Sequence, residues 1–337
     1  MYKSFVILIF LLLTDFAQAQ LQERMLQIAA EEFGETGFNG VVGIVTSKES
    51  IALTNGFENE VSKLPISHHT VFSLASLTKN FTAFALLERI SDGKIIDSAA
   101  IGDWFPCLDS NLAAARVHHL ANQSAAIADF YATIKQEQYL TNDSVMNFVC
   151  GLDSTVYKPG QTWGYSNTHY FLIAKLLERQ TDMTFESILA QEYFETMKMF
   201  TAGFAYNGAE YTFGNLKGKP TKYGAAVSGE GGIVASAEDM MSFGNAIIND
   251  SNYKELLQLA YDLSDVYPQD TNWRYGYSWF FSEDEHGKFC ANSGRGYGFN
   301  TYHRWYYESD VYYFVLSNKD NLRFKPFRNR IVELIDF

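Results

Sequence analysis

Ser76 and Lys79 stand three residues apart in the stretch FSLASLTKNFTA, residues 72–83. On a helix, side chains at i and i+3 share a face and can touch. A serine hydroxyl is a weak nucleophile that needs a neighbouring base. A free lysine, with a pKa of about 10.4, is no base near neutrality, but burial disfavours its charged form. A serine at a helix start also sits at the positive end of the dipole, with its own N–H turned toward an incoming oxyanion. The pair therefore reads either as nucleophile and proton acceptor or as a capping serine beside a lysine that reaches solvent. Spacing alone does not separate the two, because it recurs at Ser91/Lys94 and Ser251/Lys254. The Ser91 pair falls on a turn, SDGK, and the Ser251 pair on a helix start with a surface lysine. Only Ser76 and Lys79 lead into a segment, 72–90, that is apolar nearly all round and so reads as a buried helix.

Two further stretches carry side chains suited to the same chemistry. KPGQTWGYSNTHY holds Tyr165 and Asn167, poised between a Pro-Gly turn and a helix. A tyrosine beside Lys79 can relay a proton to a leaving group, and an asparagine can donate to a substrate amide. The plainer reading is a helix cap by Ser166 or Asn167, with Tyr165 packing. NSGRGYGF, residues 292–299, lies between two strand-like runs. There an edge strand with Ser293 and Gly294 can hydrogen-bond an extended substrate, and the N–H of Arg295 can complete an oxyanion hole. The plainer reading is a glycine-rich hairpin.

Taken together and in this order, Ser-x-x-Lys, Tyr-x-Asn and Asn-Ser-Gly resemble the serine β-lactamase and penicillin-binding-protein superfamily. The closer resemblance is to its class C β-lactamase-like branch, which also holds DD-peptidases and esterases. It spans most of the chain, from FNGVVGIV through YKPGQTWGYSNTHYFLIAKLLER and GGIVASAEDMMSFGNA to VLSNKDN. The resemblance implies Ser76 as the acylated nucleophile, Lys79 and Tyr165 as shared general base and acid, and Asn167 as a substrate-positioning group. It implies an oxyanion hole from the N–H groups of Ser76 and Arg295, and an active site needing neither metal nor cofactor.

Two departures stand out. The third motif of the branch begins with Lys or His, and here Asn292 takes that place. A cation there would grip a substrate carboxylate or tune the acid/base pair, whereas Asn292 offers only a neutral donor. Arg295, three residues along a strand, points to the opposite face. HLANQSAAIADF also departs from the branch's HLLTHTSGIPDY at Gln123, Ala125, Ala126 and Ala128, which bears on the cleft wall and hence on substrate range.

The elements that must position these residues read as an α+β fold, a mainly antiparallel sheet flanked by helices with a helical subdomain. FNGVVGIVTS and SIALTNGF pair as strands near the start. YGYSWFF, KFCANS, FNTYHRWYY and DVYYFVLSN alternate as strands near the end, and FRNRIVELIDF closes as a helix. LQERMLQIAAEEF, NTHYFLIAKLLERQTD and SAEDMMSFGNAII are helical, the last opening on a Ser236/Asp239 capping box. The two ends are thus expected to build one sheet (about 20–75 and 233–337) around a helical part (about 76–232), with the site at their junction.

The first 19 residues read as a secretory signal. A basic start precedes FVILIFLLL, too short to span a bilayer, and AQA offers cleavage near Ala19. No later stretch is apolar enough for a transmembrane helix. The 337 residues, 47% of them hydrophobic, suffice for a large core. With 26 basic and 39 acidic residues, net −13, the chain is unsuited to nucleic acid or an anionic membrane surface. Three cysteines in an exported chain allow one internal disulfide. All three pairings are open, with Cys107–Cys150 favoured because Cys290 lies in the strand-like KFCANS. No CxxC or spaced Cys/His pattern suggests zinc, and the His68-His69 and His118-His119 pairs lack ligand spacing.

The expectation is an exported serine hydrolase that acts through an acyl-enzyme on amides or esters: a β-lactam, a D-amino-acid peptide or a small ester. The alternative is a protein of the same fold that binds cell-wall peptide or another ligand without turnover. An α/β-hydrolase is disfavoured by the lack of a G-x-S-x-G elbow. The oligomeric state is left open.

Overall fold

The computed structural model describes residues 38–59, 62–134, 139–152, 158–264, 266–268 and 271–320, with a few positions between 23 and 31. The signal segment and the closing FRNRIVELIDF helix lie outside the described residues, as does most of the helix expected over 21–33.

Fourteen strands are described: β1 (Gly40–Val45), β2 (Ser50–Asn55), β3 (Val71–Ser73), β4 (Leu140–Thr141), β5 (Gly203–Phe204), β6 (Gly214–Leu216), β7 (Lys219–Thr221), β8 (Ala225–Ala226), β9 (Ile233–Ser236), β10 (Arg274–Gly276), β11 (Trp279–Asp284), β12 (Gly287–Gly296), β13 (Phe299–Tyr306) and β14 (Val311–Ser317). Seven form one antiparallel sheet in the order β10-β11-β12-β13-β14-β1-β2. The early hairpin and the late meander thus meet where β1 pairs with β14, Gly40 opposite Ser317. Both faces of the sheet are covered. In β14, Tyr312, Phe314 and Leu316 enter one apolar cluster while Val311, Tyr313 and Val315 enter another. This is the period-two alternation of a strand apolar on both sides.

The helix Ala237–Asn249 packs along one face, with Phe243 5.7 Å from Tyr312 between ring centres. It opens on the expected capping box, Ser236 Oγ accepting from the N–H of Asp239. Behind it lies the helix Thr78–Ser91, buried nearly all round, against which Asn167–Thr181 packs. The helix expected over 72–90 therefore starts six residues late. Residues 71–73 instead pair with β9, Phe72 opposite Ala235, and a short 3-10 turn, Ala75–Leu77, precedes the helix. Ala75 has φ +48°, a left-handed conformation that interrupts a right-handed helix and costs an alanine about 1 kcal/mol.

Cys107 and Cys150 form a disulfide with Cα atoms 5.2 Å apart, and Cys290 is a buried free thiol on β12. Lys94 pairs with Asp92 on the surface, and Lys254 with Asp310, so neither of the other two Ser-x-x-Lys lysines is buried.

Candidate active site

Ser76 is carried on the 3-10 turn that Ala75 sets off from β3, and Lys79 follows in the first turn of the buried helix. The Lys79 side chain is 1% exposed, and four oxygens surround its Nζ. It donates to Ser76 Oγ at 3.1 Å, to Asn167 Oδ1 at 2.8 Å and to the carbonyl of Glu230 at 2.6 Å. The Glu230 carboxylate lies 3.8 Å away. Tyr165 brings its hydroxyl to 2.8 Å from Ser76 Oγ, and Lys79 Nζ lies 5.1 Å from its ring centre. The serine oxygen therefore lies between an amine and a phenol, the two groups needed to take a proton from it and return one to a leaving group.

Asn167 begins the helix Asn167–Thr181, whose N-terminus is capped from outside. Asp129 Oδ2 accepts from both the backbone N–H (2.7 Å) and the Nδ2 (2.8 Å) of Asn167. An amide whose nitrogen is held by a carboxylate must turn its oxygen the other way, here onto Lys79. The other Asp129 oxygen caps the helix Phe130–Thr133.

The loop bearing Tyr165 is held by the segment whose residues depart from the related branch. Gln123, at φ +57°, accepts from the Gly164 N–H through its carbonyl and from the Ser166 N–H through Oε1, both at 2.8 Å. His169 Nδ1 donates to that same Oε1 while its Nε2 accepts from the Ile127 N–H. Burial pushes the His169 imidazole down to about 3, so it is neutral and holds one tautomer. Ala128 contributes a carbonyl to Thr168 Oγ1. The altered segment is thus an intact scaffold for Tyr165 and Asn167.

The third stretch lies on β12. That strand pairs with β11 only through residues 287–291, so 292–296 are paired on the β13 side alone and leave a local edge. The edge abuts the Ser76 turn. A Cβ on Gly294 would come within 2.2 Å of the Leu74 carbonyl and 3.0 Å of the Ser76 N, so only glycine permits the approach. Thr301 on β13 ties the turn down by donating to the same Leu74 carbonyl. Asn292 points inward, its Nδ2 donating to Asn80 Oδ1 (3.0 Å) and Ser278 Oγ (2.9 Å). Its Oδ1 accepts from the Ser293 N–H. Ser293 and Arg295 are exposed on the other face, as strand alternation requires, and the Arg295 guanidinium donates to the Asp320 carbonyl. The three stretches open onto one cleft of about 800 Å³, walled further by Tyr131, Tyr223 and Tyr297.

Sequence reasoning missed Glu230, Asp129, Asn80 and Ser278, and it read Gln123 as a departure in the cleft wall without its hold on the Tyr165 loop. Glu230 had the most visible signal, as an acid inside the glycine-rich GEGG. Burial pushes its carboxyl above the usual range, against the pull of Lys79 and the hydroxyls of Tyr223 (2.5 Å) and Tyr131 (2.9 Å).

Residues 20–336 match the family model described as beta-lactamase. The chain belongs to the beta-lactamase family. Among curated relatives of this beta-lactamase-family chain, a penicillin-binding protein of Bacillus subtilis (strain 168) is 23% identical over 337 residues, covering 89% of this chain and 73% of that one. A D-aminopeptidase of Brucella ovis is 26% identical over 227 residues, 61% of this chain. That match spans only 42% of the D-aminopeptidase. Among solved structures, a class C beta-lactamase superposes with a TM-score of 0.82 at 13% identity, covering 95% of this chain and 98% of the other. The penicillin-binding protein from Bacillus halodurans gives 0.78 at 20% identity, covering 92% and 99%. These likenesses establish the beta-lactamase/DD-peptidase fold.

Proposed function

We propose that this member of a serine hydrolase family is an exported enzyme that cleaves amides or esters through an acyl-enzyme on Ser76. The contact of Ser76 Oγ with both Lys79 Nζ (3.1 Å) and Tyr165 Oη (2.8 Å) carries this reading. In the reaction, Ser76 Oγ attacks the substrate carbonyl as its proton passes into the Lys79–Tyr165 pair. The negative oxygen of the tetrahedral intermediate takes hydrogen bonds from the N–H groups of Ser76 and Arg295. Collapse breaks the bond to the leaving group, which receives the proton by way of Tyr165. Water, deprotonated by the same pair, then releases the acid and restores the serine. Asn167 orients Lys79 and offers a contact to the substrate amide. Ser293 and Gly294 present the β12 edge to an extended substrate. In this reading the cleft lies between the sheet part, about 20–75 and 233–337, and the helical part, about 76–232.

The candidate substrates are β-lactams, peptides with D-residues and small esters. Asn292 bears on the choice. Its amide is spent on Asn80, Ser278 and Ser293, so it brings no charge to a substrate carboxylate. This favours neutral esters and amides over carboxylate-bearing ones. Export is supported by the signal-like first 19 residues and by the Cys107–Cys150 disulfide, which persists in oxidising compartments.

The test is covalent labelling with a fluorophosphonate and with a fluorescent penicillin, read by intact mass beside Ser76→Ala. Labelling by at least one probe that Ser76→Ala abolishes is the expected result. Labelling by neither would sink the enzyme reading in favour of a binding protein. Labelling that survives the substitution would move the nucleophile elsewhere.

A further inference from the structure

We infer that Tyr297 is a specificity-determining residue, forming with Tyr223 and Tyr131 an aromatic wall that selects substrates carrying an uncharged aryl group. The inference rests on the reading of the cleft as a hydrolase site and names the substrate class that site takes.

The turn between β12 and β13 holds two residues, Tyr297 and Gly298, with Gly296 opposite Phe299 on the flanking strands. Both turn residues have positive φ, +50° and +82°. That is the pattern of a type I′ turn, which favours Asn-Gly, Asp-Gly or Gly-Gly, because a bulky L residue is strained there. Tyrosine is therefore a poor choice for the turn itself. The conformation persists because its neighbours fix it. Thr221 Oγ1 donates to the Tyr297 carbonyl, and the Asn215 N–H donates to the Gly298 carbonyl. A Cβ on Gly214 would lie 2.1 Å from the Tyr297 carbonyl, so the β6–β7 hairpin is pressed against the turn. A strained residue that its surroundings hold in place points to a use other than folding.

The Tyr297 side chain lines the cleft, and its ring meets that of Tyr223 edge to face, with centres 4.9 Å apart. Tyr131, Tyr223 and Tyr297 are all partly exposed. The hydroxyls of Tyr131 and Tyr223 are spent on Glu230 Oε1, so ring carbon rather than phenol oxygen is left to meet a ligand. Leu216, 40% exposed, extends the same apolar surface. Among the described residues that line the cleft, only Glu230 and Arg295 are charged types. Glu230 is 4% exposed, and Arg295 reaches out to the carbonyl of Asp320, which is not part of the cleft wall. A bound group thus meets ring faces and edges, a setting that rewards an aromatic partner beyond its buried area. Rings already fixed by hydrogen bonds and by one another lose little freedom on binding.

The experiment measures kcat/KM for two pairs of neutral esters that differ only in an aromatic or a saturated ring. Ethyl phenylacetate with ethyl cyclohexylacetate tests the acyl side. Benzyl acetate with cyclohexylmethyl acetate tests the alcohol side. The parent, Tyr297→Phe and Tyr297→Asn are compared, so intrinsic differences in ester reactivity cancel. In at least one pair the aryl preference should be about three- to tenfold greater in the parent than in Tyr297→Asn, the worth of one aromatic contact. Tyr297→Phe, which keeps the ring, should keep the preference. Tyr297→Asn should unfold in urea at a midpoint no lower than the parent's, because asparagine accepts the left-handed turn.

An aryl preference unchanged in Tyr297→Asn, or a loss that falls equally on both members of each pair, would overturn the proposal. So would a marked drop in its urea midpoint or a failure to fold, either of which would make the ring a packing residue. Labelling of the parent separates this outcome from failure of the underlying reading. A parent labelled by neither the fluorophosphonate nor the penicillin defeats the hydrolase assignment, whereas a parent labelled at Ser76 but without the aryl preference defeats the role of Tyr297 alone.

Discussion

The burial of Lys79 and Glu230 together makes their coupling measurable as stability. Their charged atoms lie 3.8 Å apart at 1% and 5% exposure. With an effective dielectric constant near 20, the attraction at that distance is about 4 kcal/mol. Removing one partner leaves the other charge buried and uncompensated, at a cost of about 3–5 kcal/mol. Lys79→Met should therefore destabilise the protein by at least that much. It also loses three hydrogen bonds to oxygen, each worth about 1 kcal/mol. Lys79→Met/Glu230→Gln loses the same three bonds but no longer buries a lone carboxylate, so their contribution cancels in a double-mutant cycle. The cycle should return a coupling of about 2–4 kcal/mol, against the roughly 0.3–0.5 kcal/mol scatter of independent sites. The assay is urea unfolding of the four proteins, followed by circular dichroism, at pH 8 and pH 5.

The pH arm has a definite sign. Burial raises the Glu230 carboxyl in the folded state above its unfolded value of about 4.3. The folded form then holds more protons than the unfolded form between the two values, and stability falls as pH rises through that window. Lys79→Met removes the cation that opposes this shift. Its deficit should be full at pH 8 and shrink toward pH 5, while the double variant, with no carboxyl at 230, shows no such change. Additive single effects, or a Lys79→Met deficit that is the same at both pH values, would refute the charge-pair reasoning.

Two other predictions follow from contacts outside that pair. Asn292→Lys places an ammonium where Asn80 Oδ1 and Ser278 Oγ already offer acceptors, so it should raise kcat/KM for carboxylate-bearing substrates about tenfold over neutral esters, or about 1.4 kcal/mol. Equal changes on both substrate classes, measured side by side, would show that no substrate carboxylate reaches this position. The Cys107–Cys150 disulfide closes a loop with a sequence separation of 43, which corresponds to about 4 kcal/mol of loop-closure entropy. Cys107→Ser/Cys150→Ser should lower the urea midpoint accordingly, and a midpoint unchanged from the parent would contradict it.

Much of the frame was legible because strands and helices declare themselves by period. The alternation in FNTYHRWYY and DVYYFVLSN is local, and so is the Ser236/Asp239 box. The start of the buried helix was not legible. Nothing near residue 72 shows that β9, some 160 residues on, supplies it with a strand partner. The apolar run therefore read as helix throughout. Gln123 read as a departure from a related pattern, because its value lies in hydrogen bonds to Ser166 and His169 across more than 40 residues of chain.

The sequence by itself determined most element types, the late run of strands and the order Ser76-Lys79, Tyr165-Asn167, Asn292-Arg295. Tertiary structure alone decided that residues 292–296 of β12, paired only with β13, leave an edge beside Ser76, and that Glu230, 151 residues from Lys79, shares its pocket. The reason is physical. Periodicity encodes which face of an element is apolar, but a lysine's charge state depends on the oxygens around it, and those arrive from distant parts of the chain only when the core closes.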